Sequence, residues 1–494
     1  MKILSAQQIR EADHYAILNT PISSIELMEN AANAFVNWFC NQYDHSVSVV
    51  ILAGQGNNGG DGLAIARILS QKSFNVIVFI VTHTAKPSTD FKVNCERLAN
   101  HLQLQTINTD QQIPDFSSEN IYIDALLGSG LSRPATGILA SIIQKLNSSA
   151  VPIVSVDIAS GLYVDKLNEP EDSIIKPLFT ISFQLPKLAF LFPQNDQFVG
   201  NWQLVDIGLS QKFIEQTNTP YYYSNSKTIK ELVTPRSKYA HKGTFGHALM
   251  IAGSYGKMGA AVLAGKACLR SGAGLLTMHI PECGYEIVQI SLPEAMVSVD
   301  QEREFCSQLP YLASYTTIGI GPGIDKKPAT QVLLQQLLSQ YAKPMVIDAD
   351  ALNILSENQD WLSQIPKNSI LTPHPKEFER LVGKSKNEMV RLQKAIEFCQ
   401  KYETIICLKG AHTAVILPNG KVHFNATGNP GMSTGGTGDA LTGIITGLLA
   451  QGYTPENAAI IGVYEHGLAG DKAAKIKGER ALLASDLIDN IRIE

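Results

Sequence analysis

The chain has 494 residues, of which 45% are hydrophobic and 17% charged, and its formal net charge is −5. At about 150 residues per domain, this length predicts two or three domains. The composition is typical of a globular enzyme, and the weak negative charge gives no electrostatic basis for binding nucleic acid or an anionic membrane.

The N-terminal residues predict neither export nor membrane insertion. Residues 1–5 lead directly into an amphipathic helical pattern at 6–11, without the apolar run of a signal peptide. No apolar stretch approaches the roughly 18 residues that a membrane-spanning helix needs. The seven cysteines are scattered and contain no C-x-x-C pair, which argues against disulfides and a thiolate zinc site. We therefore expect a cytoplasmic protein in a reducing compartment.

The first 210 residues alternate short β-branched runs with helical patterns. Two helical patterns come first, the second at 25–39 behind a capping serine at Ser23 or Ser24. Five runs then predict strands, at 47–53, 76–81, 121–125, 153–157 and 179–183. Strands that are apolar almost throughout and separated by helices predict a parallel sheet covered on both faces.

A polar stretch from Ser210 to about Asn225 interrupts this alternation, and we place the domain boundary there. The predicted domains are 1–215 and 225–494. In the second, apolar runs again predict strands, at 248–252, 275–279, 317–320, 345–348, 369–371 and 404–408. A long helical region follows from about Asp439. The fold class is therefore α/β, in two successive domains.

The sharpest motif of the first half is the run 54–62, G-Q-G-N-N-G-G-D-G, between a strand and a helix. Glycines let backbone amides approach a ligand closely, and a helix N-terminus favours phosphate. A tight turn would explain one G-x-G equally well, but it does not require five glycines, two asparagines and an aspartate in nine residues.

Two further strand ends carry an acid before a glycine-containing loop, Asp124 and Asp157. Ligands of open parallel sheets bind at the carboxyl ends of the strands, so these loops are expected to converge. The alternative is that each aspartate only caps the turn that follows it.

The segments N-N-G-G-D-G, D-A-L-L-G-S-G and V-D-I-A-S-G resemble the YjeF N-terminal family, the NAD(P)H-hydrate epimerases. The resemblance covers residues 1 to about 210 and implies a Rossmann-like domain that interconverts the R and S hydrates. It also implies a K⁺ ion bound by Asn58, Asp124 and Ser160, and oxygen ligands suit such a hard cation. The implied substrate contacts are Asn57, Asn58, Gly59, Gly60, Asp61, Gly128, Ser129, Gly130, Leu131, Ser132, Arg133, Pro134 and Asp157.

Epimerisation at a carbon that bears both a hydroxyl group and the ring nitrogen needs no redox cofactor. Ring opening or reversible loss of water achieves it, assisted by a positioned acid or base. Asp157 is our candidate for that catalytic group. Arg133 suits a substrate phosphate, with Lys187 as a weaker candidate for the same role. The loop has Ala159 where the family commonly has proline.

The strongest motif of the second half is G-G-T-G-D-A-L at 435–441, which opens an apolar helix. Amides at such a helix start form an anion hole for a phosphoryl group in transfer. Asp439 beside that hole is placed to take the proton of an attacking hydroxyl, and is our second catalytic candidate. The alternative is a glycine turn capped by the aspartate, but G-G-T-G-D combined with the upstream N-P-G at 429–431 is hard to explain by structure alone.

This motif resembles the ribokinase-like superfamily. Within it, the segments H-K-G at 241–243, G-I-G-P-G at 319–323, D-A-D-A-L at 348–352, T-P-H-P at 372–375 and K-G-A-H-T at 409–413 resemble the NAD(P)H-hydrate dehydratases. The resemblance implies that Mg²⁺ with ADP or ATP is used, and the fused layout resembles ADP-dependent members. It implies nucleotide contacts from Lys409, Gly410, Ala411, His412, Thr413 and Gly438. The implied contacts to the hydrated substrate are Ala261, Gly323, His374 and Asp439.

Three points stay open at the sequence level. His374 before a proline is also a candidate helix cap, and Asp348 and Asp350 either face a metal–nucleotide complex or simply end a strand. The segment 253–261 departs from the family's G-S-x-G-M-x-G-A pattern at Lys257 and Met258.

Two other functions compete with hydrate repair. One is a ribokinase-like small-molecule kinase fused to a non-catalytic Rossmann-like domain, because both use the same anion hole. The other is an RNA-associated binding module, which the retained acids and the absence of a basic composition disfavour. We expect NADHX, NADPHX and an adenine nucleotide as ligands, neither nucleic acid nor membrane as a partner, and a homo-oligomer whose size the sequence leaves open.

Overall fold

The computed structural model describes residues 1–19, 22–99 and 102–493. It divides into two compact units, one spanning Lys2–Thr219 and the other Pro220–Glu494 together with Met1. The division lies within the polar stretch in which we placed the domain boundary. Both units are α/β, as predicted. No helix of the described ranges is long and apolar enough to cross a bilayer.

The N-terminal unit is built on one seven-stranded, wholly parallel sheet with the order β3-β2-β1-β4-β5-β6-β7. Its strands are β1 Ser48–Ala53, β2 Asn75–Val81, β3 Leu104–Ile107, β4 Asn120–Ala125, β5 Ile153–Val156, β6 Phe179–Phe183 and β7 Asn201–Val205. Its helices are α1 Ala6–Asn19, α2 Ser24–Gln42, α3 Asn57–Gln71, α4 Thr89–Ala99, α5 Ile138–Ser148, α6 Asp196–Val199 and α7 Gln211–Gln216.

The five predicted strands of this unit are confirmed, whereas β3 and β7 were missed. Both lie at the edges of the sheet and include exposed and partly buried residues, so neither forms the apolar run that reveals an interior strand. The second predicted helix is confirmed as α2. It starts after Ser23, whose side chain accepts from the Glu26 amide while the Glu26 carboxylate accepts from the Ser23 amide.

The glycine motif differs from its prediction, because α3 already begins at Asn57. Residues 57–61 are thus the first turn of the helix rather than a loop before it. Two of the glycines are required by packing. A Cβ atom on Gly54 would lie 1.9 Å from the Leu126 carbonyl oxygen, and one on Gly59 would lie 1.7 Å from the Gly54 carbonyl oxygen. These close approaches bring the end of β1 against the loop that follows β4.

The C-terminal unit is built on a ten-stranded sheet with the order β11-β10-β9-β12-β13-β14-β15-β16-β17-β8. Its strands are β8 Tyr221–Ser224, β9 His247–Ile251, β10 Leu275–Ile280, β11 Met296–Val299, β12 Thr317–Ile320, β13 Val346–Ile347, β14 Ile370–Leu371, β15 Ile405–Leu408, β16 Ala414–Ile416 and β17 Val422–Asn425. Its helices are α8 Ser226–Leu232, α9 Met258–Arg270, α10 Tyr285–Ser291, α11 Pro328–Gln340, α12 Ala349–Glu357, α13 Pro375–Val382, α14 Glu388–Tyr402, α15 Thr437–Ala450, α16 Pro455–Lys477 and α17 Ala484–Asp489. Only β16 runs antiparallel to its neighbours.

The six strands predicted for this unit are confirmed, and two expectations about its ends are corrected. The tyrosines that we assigned to the interrupting stretch form β8, which pairs with β17, so this unit begins before residue 225. The pairing is supported by stacking of Tyr222 on His423, with ring centroids 4.8 Å apart. The long helical region at the C-terminal end consists of the separate helices α15, α16 and α17.

We predict that Gly59→Ala destabilises the N-terminal unit by about 3 kcal/mol or more, because its Cβ atom would overlap backbone that has no room to move. Gly56→Ala is the matched control, since a Cβ atom there meets nothing within 4 Å. It is expected to cost no more than about 1 kcal/mol, the usual difference at a helix N-cap. Urea unfolding of both variants measures the effect, and equal destabilisation by the two would contradict the packing argument.

Candidate active sites

Asp124 at the end of β4 is the centre of a buried polar cluster in the N-terminal unit. It is fully buried, and its Oδ2 accepts from the Ser155 hydroxyl and the Ser160 amide, both at 2.8 Å. The Ser160 hydroxyl donates to Oδ1. Asn58 joins the cluster through a 3.0 Å hydrogen bond to the Leu127 carbonyl oxygen, which lies 3.1 Å from the Ser160 hydroxyl. The three residues expected to bind a cation are therefore brought together.

The Asp124 cluster fits a hard cation on chemical grounds. The atoms that could ligate a cation there are carboxylate, hydroxyl, amide and carbonyl oxygens, and the cluster contains neither thiolate nor imidazole. Burial raises the pKa of Asp124, although the hydrogen bonds from Ser160, Ser155 and Leu126 oppose the rise. In the ranges that the structure describes, no lysine or arginine pairs with this carboxylate. A buried carboxylate without a cationic partner is what a bound cation would neutralise.

Asp157 follows β5 in a left-handed conformation, with φ of +65°. For a residue other than glycine this costs on the order of 1–3 kcal/mol, and such residues cluster at functional sites. The Asp157 carboxylate accepts from the Phe183 amide at 2.9 Å and is ion-paired with the ammonium of Lys187. Lys187 also donates to the Ser182 hydroxyl at 2.6 Å and is only 1% exposed. Its place beside Asp157 corrects our suggestion that it binds a substrate phosphate.

Two further carboxyl groups interact electrostatically with Asp157. Burial raises the pKa of Asp61, in the first turn of α3, well above its usual value, and the charges of Asp157, Asp13 and Asp90 add to the rise. Burial, again assisted by Asp157, raises the pKa of Asp13 to about 7, although Lys187 opposes the rise. Asp13 lies on α1 and was missed, because an aspartate in an amphipathic helix is indistinguishable in sequence from a solvated surface residue.

The predicted substrate loop 128–134 follows β4. A turn closes it, with the Leu131 amide donating to the Gly128 carbonyl oxygen at 3.2 Å, and Lys166 binds the Ser132 carbonyl oxygen at 3.0 Å. Arg133 and Pro134 are exposed. The loop also faces α1, since the guanidinium of Arg10 lies 4.0 Å from the position of a Cβ atom on Gly130. Arg10 is thus a second α1 residue that the sequence did not indicate.

In the C-terminal unit, the start of α15 meets the ends of β13 and β15. Asp439 lies in the first turn of α15, after Gly436 in a left-handed conformation with φ of +91°. Lys409, which follows β15, donates to Asp348 Oδ1 at 3.1 Å, and the Thr442 hydroxyl donates to Asp348 Oδ2 at 2.7 Å. The Lys409 ammonium lies 3.4 Å from the position of a Cβ atom on Gly438. The structure therefore brings Asp439 and two predicted nucleotide contacts together.

The charges of this site set the protonation of Asp439. Burial raises its pKa to about 6, the carboxylates of Asp348, Asp350 and Glu377 add to the rise, and Lys409 opposes it. Burial alone would lower the pKa of Lys409, but the carboxylates of Asp348 and Glu377 outweigh burial and raise it. Lys409 therefore stays cationic, and Asp439 is a carboxyl that exchanges its proton near neutral pH, as a general base requires.

The remaining nucleotide candidates, residues 410–413, form the turn between β15 and β16. Thr413 closes this turn, because its hydroxyl donates to the Gly410 carbonyl oxygen at 3.0 Å. The His412 ring lies 3.0 Å from the Asn425 carbonyl oxygen, and the Asn425 amide donates to the Thr413 carbonyl oxygen at 3.0 Å. Ala411 is exposed at the tip. The turn is thus held rigidly next to Lys409.

The candidate substrate contacts of this unit differ in accessibility. His374 caps α13, with its Nδ1 accepting from the Lys376 and Glu377 amides, and its Nε2 remains 3.4 Å from Glu377. Gly323 is partly exposed, and its carbonyl oxygen accepts from Ser254 at 2.7 Å. Ala261 lies on the buried face of α9, where it is 0% exposed and belongs to an apolar core cluster. The structure therefore does not support a direct substrate contact at Ala261.

The N-P-G segment at 429–431 has a structural role that the sequence did not reveal. The Asn429 side chain accepts from the Gly431 amide at 3.1 Å and donates to Asp471 at 2.9 Å. A Cβ atom on Gly431 would lie 2.5 Å from the Glu479 carbonyl oxygen. The segment therefore anchors the loop before α15 to α16 and to the residues after it.

Two family models match the chain. One, described as NAD(P)H-hydrate dehydratase, matches residues 248–492, and the other, described as YjeF-related protein N-terminus, matches residues 24–189. A bifunctional NAD(P)H-hydrate repair enzyme of Moorella thermoacetica is 35% identical over 507 residues, covering 99% of this chain and 96% of that protein. Its counterpart in Coxiella burnetii is 34% identical, covering 99% and 98%. A crystal structure of an ADP/ATP-dependent NAD(P)H-hydrate dehydratase from Bacillus subtilis, co-crystallised with ATP and Mg²⁺, is 33% identical over 55% of this chain and 96% of its own, with a TM-score of 0.49.

The raised pKa of Asp13 predicts a pH-dependent change in stability. The folded state retains the Asp13 proton up to about pH 7, whereas an unfolded aspartate ionises near its ordinary value of 3.8. Stability contributed by this group is thus present below about pH 4 and is lost as the pH rises to about 7. Asp13→Asn cannot ionise, so relative to the wild type it should gain roughly 2–4 kcal/mol between pH 4.5 and pH 8.

Urea unfolding of the full chain at the two pH values measures this gain. Glu11→Gln, an exposed carboxylate on the same helix, is the control and should show the same difference from wild type at both pH values. A difference for Asp13→Asn that does not change with pH would contradict the electrostatic interpretation.

Proposed function

This chain belongs to the family of bifunctional NAD(P)H-hydrate repair enzymes, and on that premise we propose which of its residues carry the two reactions. The N-terminal unit is the epimerase of R and S hydrates, and the C-terminal unit is the dehydratase. The observation that carries the residue assignment is the convergence of Asp439, Lys409 and Gly438 at the start of α15. We propose that this site dehydrates the S hydrate with ADP or ATP as phosphoryl donor.

In the proposed dehydration, Asp439 takes the proton of the substrate hydroxyl, whose oxygen then bonds to the terminal phosphorus of the nucleotide. The bond from that phosphorus to the nucleotide breaks, while the amides at the start of α15 bind the transferring phosphoryl group. The ring nitrogen's lone pair next expels phosphate, and the neighbouring ring carbon loses a proton, which restores the double bond of NAD(P)H. Without phosphorylation, hydroxide would be a poor leaving group.

Lys409 and the turn 410–413 would hold the nucleotide, with the Lys409 ammonium near its phosphates. Mg²⁺ would supply positive charge that lowers the barrier to phosphoryl transfer, and the carboxylates of Asp348 and Asp350 would hold it beside the nucleotide. Gly323 and the Nε2 side of His374 are our proposed contacts to the hydrated ring. His374 can cap α13 through Nδ1 and still present Nε2, so the two roles are compatible.

In the N-terminal unit, we assign the proton transfers of epimerisation to Asp157, which Lys187 and the Phe183 amide orient. The first turn of α3 and the loop 128–134, including Arg133, would contact the substrate and its phosphates. Asn58, Asp124 and Ser160 would hold K⁺, whose charge would compensate the buried carboxylate of Asp124.

The kinase alternative is not favoured, because the relatives that match 99% of this chain are bifunctional repair enzymes. The unpaired state of all seven cysteines supports our proposal of a reducing, cytoplasmic location. We also propose a homo-oligomer, which sedimentation of the purified chain would test.

Asp439→Asn should slow dehydration of the S hydrate at least about 100-fold, because a general base contributes that much or more. In the wild type, the rate should rise as the pH passes through about 6, where Asp439 loses its proton. Recovery of NADH absorbance from pure S hydrate measures both effects. The exposed Asp360→Asn is the control and should retain the wild-type rate and profile. A variant at Asp439 with normal activity would refute the assignment.

Asp157→Asn should slow epimerisation at least about 100-fold and leave dehydration of the S hydrate unchanged, because it removes the carboxylate that handles the proton. Supplying pure R hydrate makes NADH recovery depend on epimerisation, while pure S hydrate tests the other site of the same molecule. Recovery from R hydrate at the wild-type rate would show that another residue performs this step.

A further inference from the structure

Helix α1 presents two charged side chains to the N-terminal site from one face. Arg10 and Asp13 are three residues apart and therefore lie on the same side of the helix. The guanidinium of Arg10 lies against Gly130, in the proposed substrate loop. Between them, Ala12 is buried in an apolar cluster that also contains Leu185, two residues before Lys187. This cluster places α1 near the segment that carries Lys187, and the charges of Asp157 and Lys187 both act on the Asp13 carboxyl.

The charges around Asp13 come from four elements of the unit. The charge of Asp157, after β5, raises the pKa of Asp13, and the charge of Lys187, after β6, lowers it. The charge of Asp13 in turn raises the pKa of Asp61 on α3. Arg10 lies one turn away on α1. Asp90 on α4 acts on Asp61 in turn. Asp157 and Asp13 differ in their ion pairing. Asp157 is paired directly with Lys187, whereas no lysine or arginine in the described ranges forms an ion pair with Asp13. Their environments therefore differ as those of an acid and a base do.

We propose that Asp13 is the second acid–base group of the epimerase, the proton donor that works with Asp157 as acceptor on a substrate ring bound between them. This inference rests on the proposed epimerase function. It adds a residue of α1 to a site otherwise built from the first turn of α3 and the loops that follow the strands.

The proton balance of the reaction calls for such a pair. The Asp13 carboxyl gives its proton to the substrate hydroxyl, the carbon–oxygen bond breaks, and water leaves as the ring nitrogen's lone pair forms a carbon–nitrogen double bond. A water molecule then adds to the other face of that carbon, the lone pair returns to nitrogen, and Asp157 takes the proton that the water loses. Transfer of this proton back to Asp13 through solvent restores both groups, and the reverse direction uses them in opposite roles.

The pKa of Asp13, raised to about 7, supports the donor role because the group is protonated at and below neutral pH. Activity that needs this proton declines as the pH rises above about 7. The alternative to a catalytic role is that Asp13 is an ordinary surface aspartate of an amphipathic helix. Glu11, on the same helix, provides the comparison. Glu11 is exposed, and its carboxylate accepts from Gln7 on its own helix at 2.9 Å.

The test compares Asp13→Asn, Asp13→Glu and Glu11→Gln in the full chain, with NADH recovery from pure R hydrate as the epimerase readout and the rate without protein subtracted. Recovery from pure S hydrate confirms that the dehydratase step is not limiting. We expect kcat of Asp13→Asn to fall by about 100-fold or more, with the decline above pH 7 abolished. Asp13→Glu should recover most of the rate, and Glu11→Gln should match the wild type.

Two results would overturn the inference. The first is an Asp13→Asn variant within about threefold of the wild type and with its pH profile unchanged. The second is equal loss in Asp13→Asn and Asp13→Glu, accompanied by a lower unfolding temperature, which would indicate a structural role. A wild-type chain that recovers no NADH from R hydrate would instead remove the epimerase proposal itself, so the two failures are distinguishable.

Discussion

A buried aspartate held by a lysine recurs in both units, as Asp157 with Lys187 and as Asp348 with Lys409. Removing one partner of such a pair leaves an uncompensated buried charge, which typically costs about 3–5 kcal/mol. In each unit the pair also acts on another carboxyl, Asp13 in the first and Asp439 in the second, whose pKa is raised by burial. In each unit, the charges of the ion pair thus contribute to the pKa of the carboxyl group that we propose transfers the proton.

The parallel sheets place these groups. In the N-terminal unit, β1 and β4 are adjacent in the sheet although they are not consecutive in the chain. The connection after β1 leads to β2 on one side, and the connection after β4 leads to β5 on the other. Gly54 and Gly59 let these loops touch, which brings the start of α3 to the Asp124 cluster. In the C-terminal unit the ends of β13 and β15 converge on the start of α15 in the same way. Each site therefore combines carboxylate groups that come from several separate segments of the chain.

The sequence was informative where a function requires an unusual local pattern. The glycine runs beside Asp61 and Asp439 are longer than a simple turn requires, although packing in the structure requires Gly54 and Gly59. The buried strands that lead to Asp124 and Asp157 are nearly continuous apolar runs. It was uninformative where the pattern is ordinary. Asp13 and Arg10 lie on a helix with an unremarkable amphipathic sequence, and their role depends on tertiary packing of α1. The strand β8 was obscured by polar neighbours, and the burial of Ala261 depends on how α9 meets the sheet.

Two epimers and two sites in one chain make the central claim directly measurable. The purified protein is mixed with both hydrates of NADH, Mg²⁺, K⁺ and either ADP or ATP, and the return of NADH absorbance is followed to completion. An epimerase that feeds an S-specific dehydratase predicts recovery of the entire hydrate pool with one of the nucleotides. Recovery that stops at the S fraction would contradict the epimerase, and no recovery with either nucleotide would contradict the account as a whole.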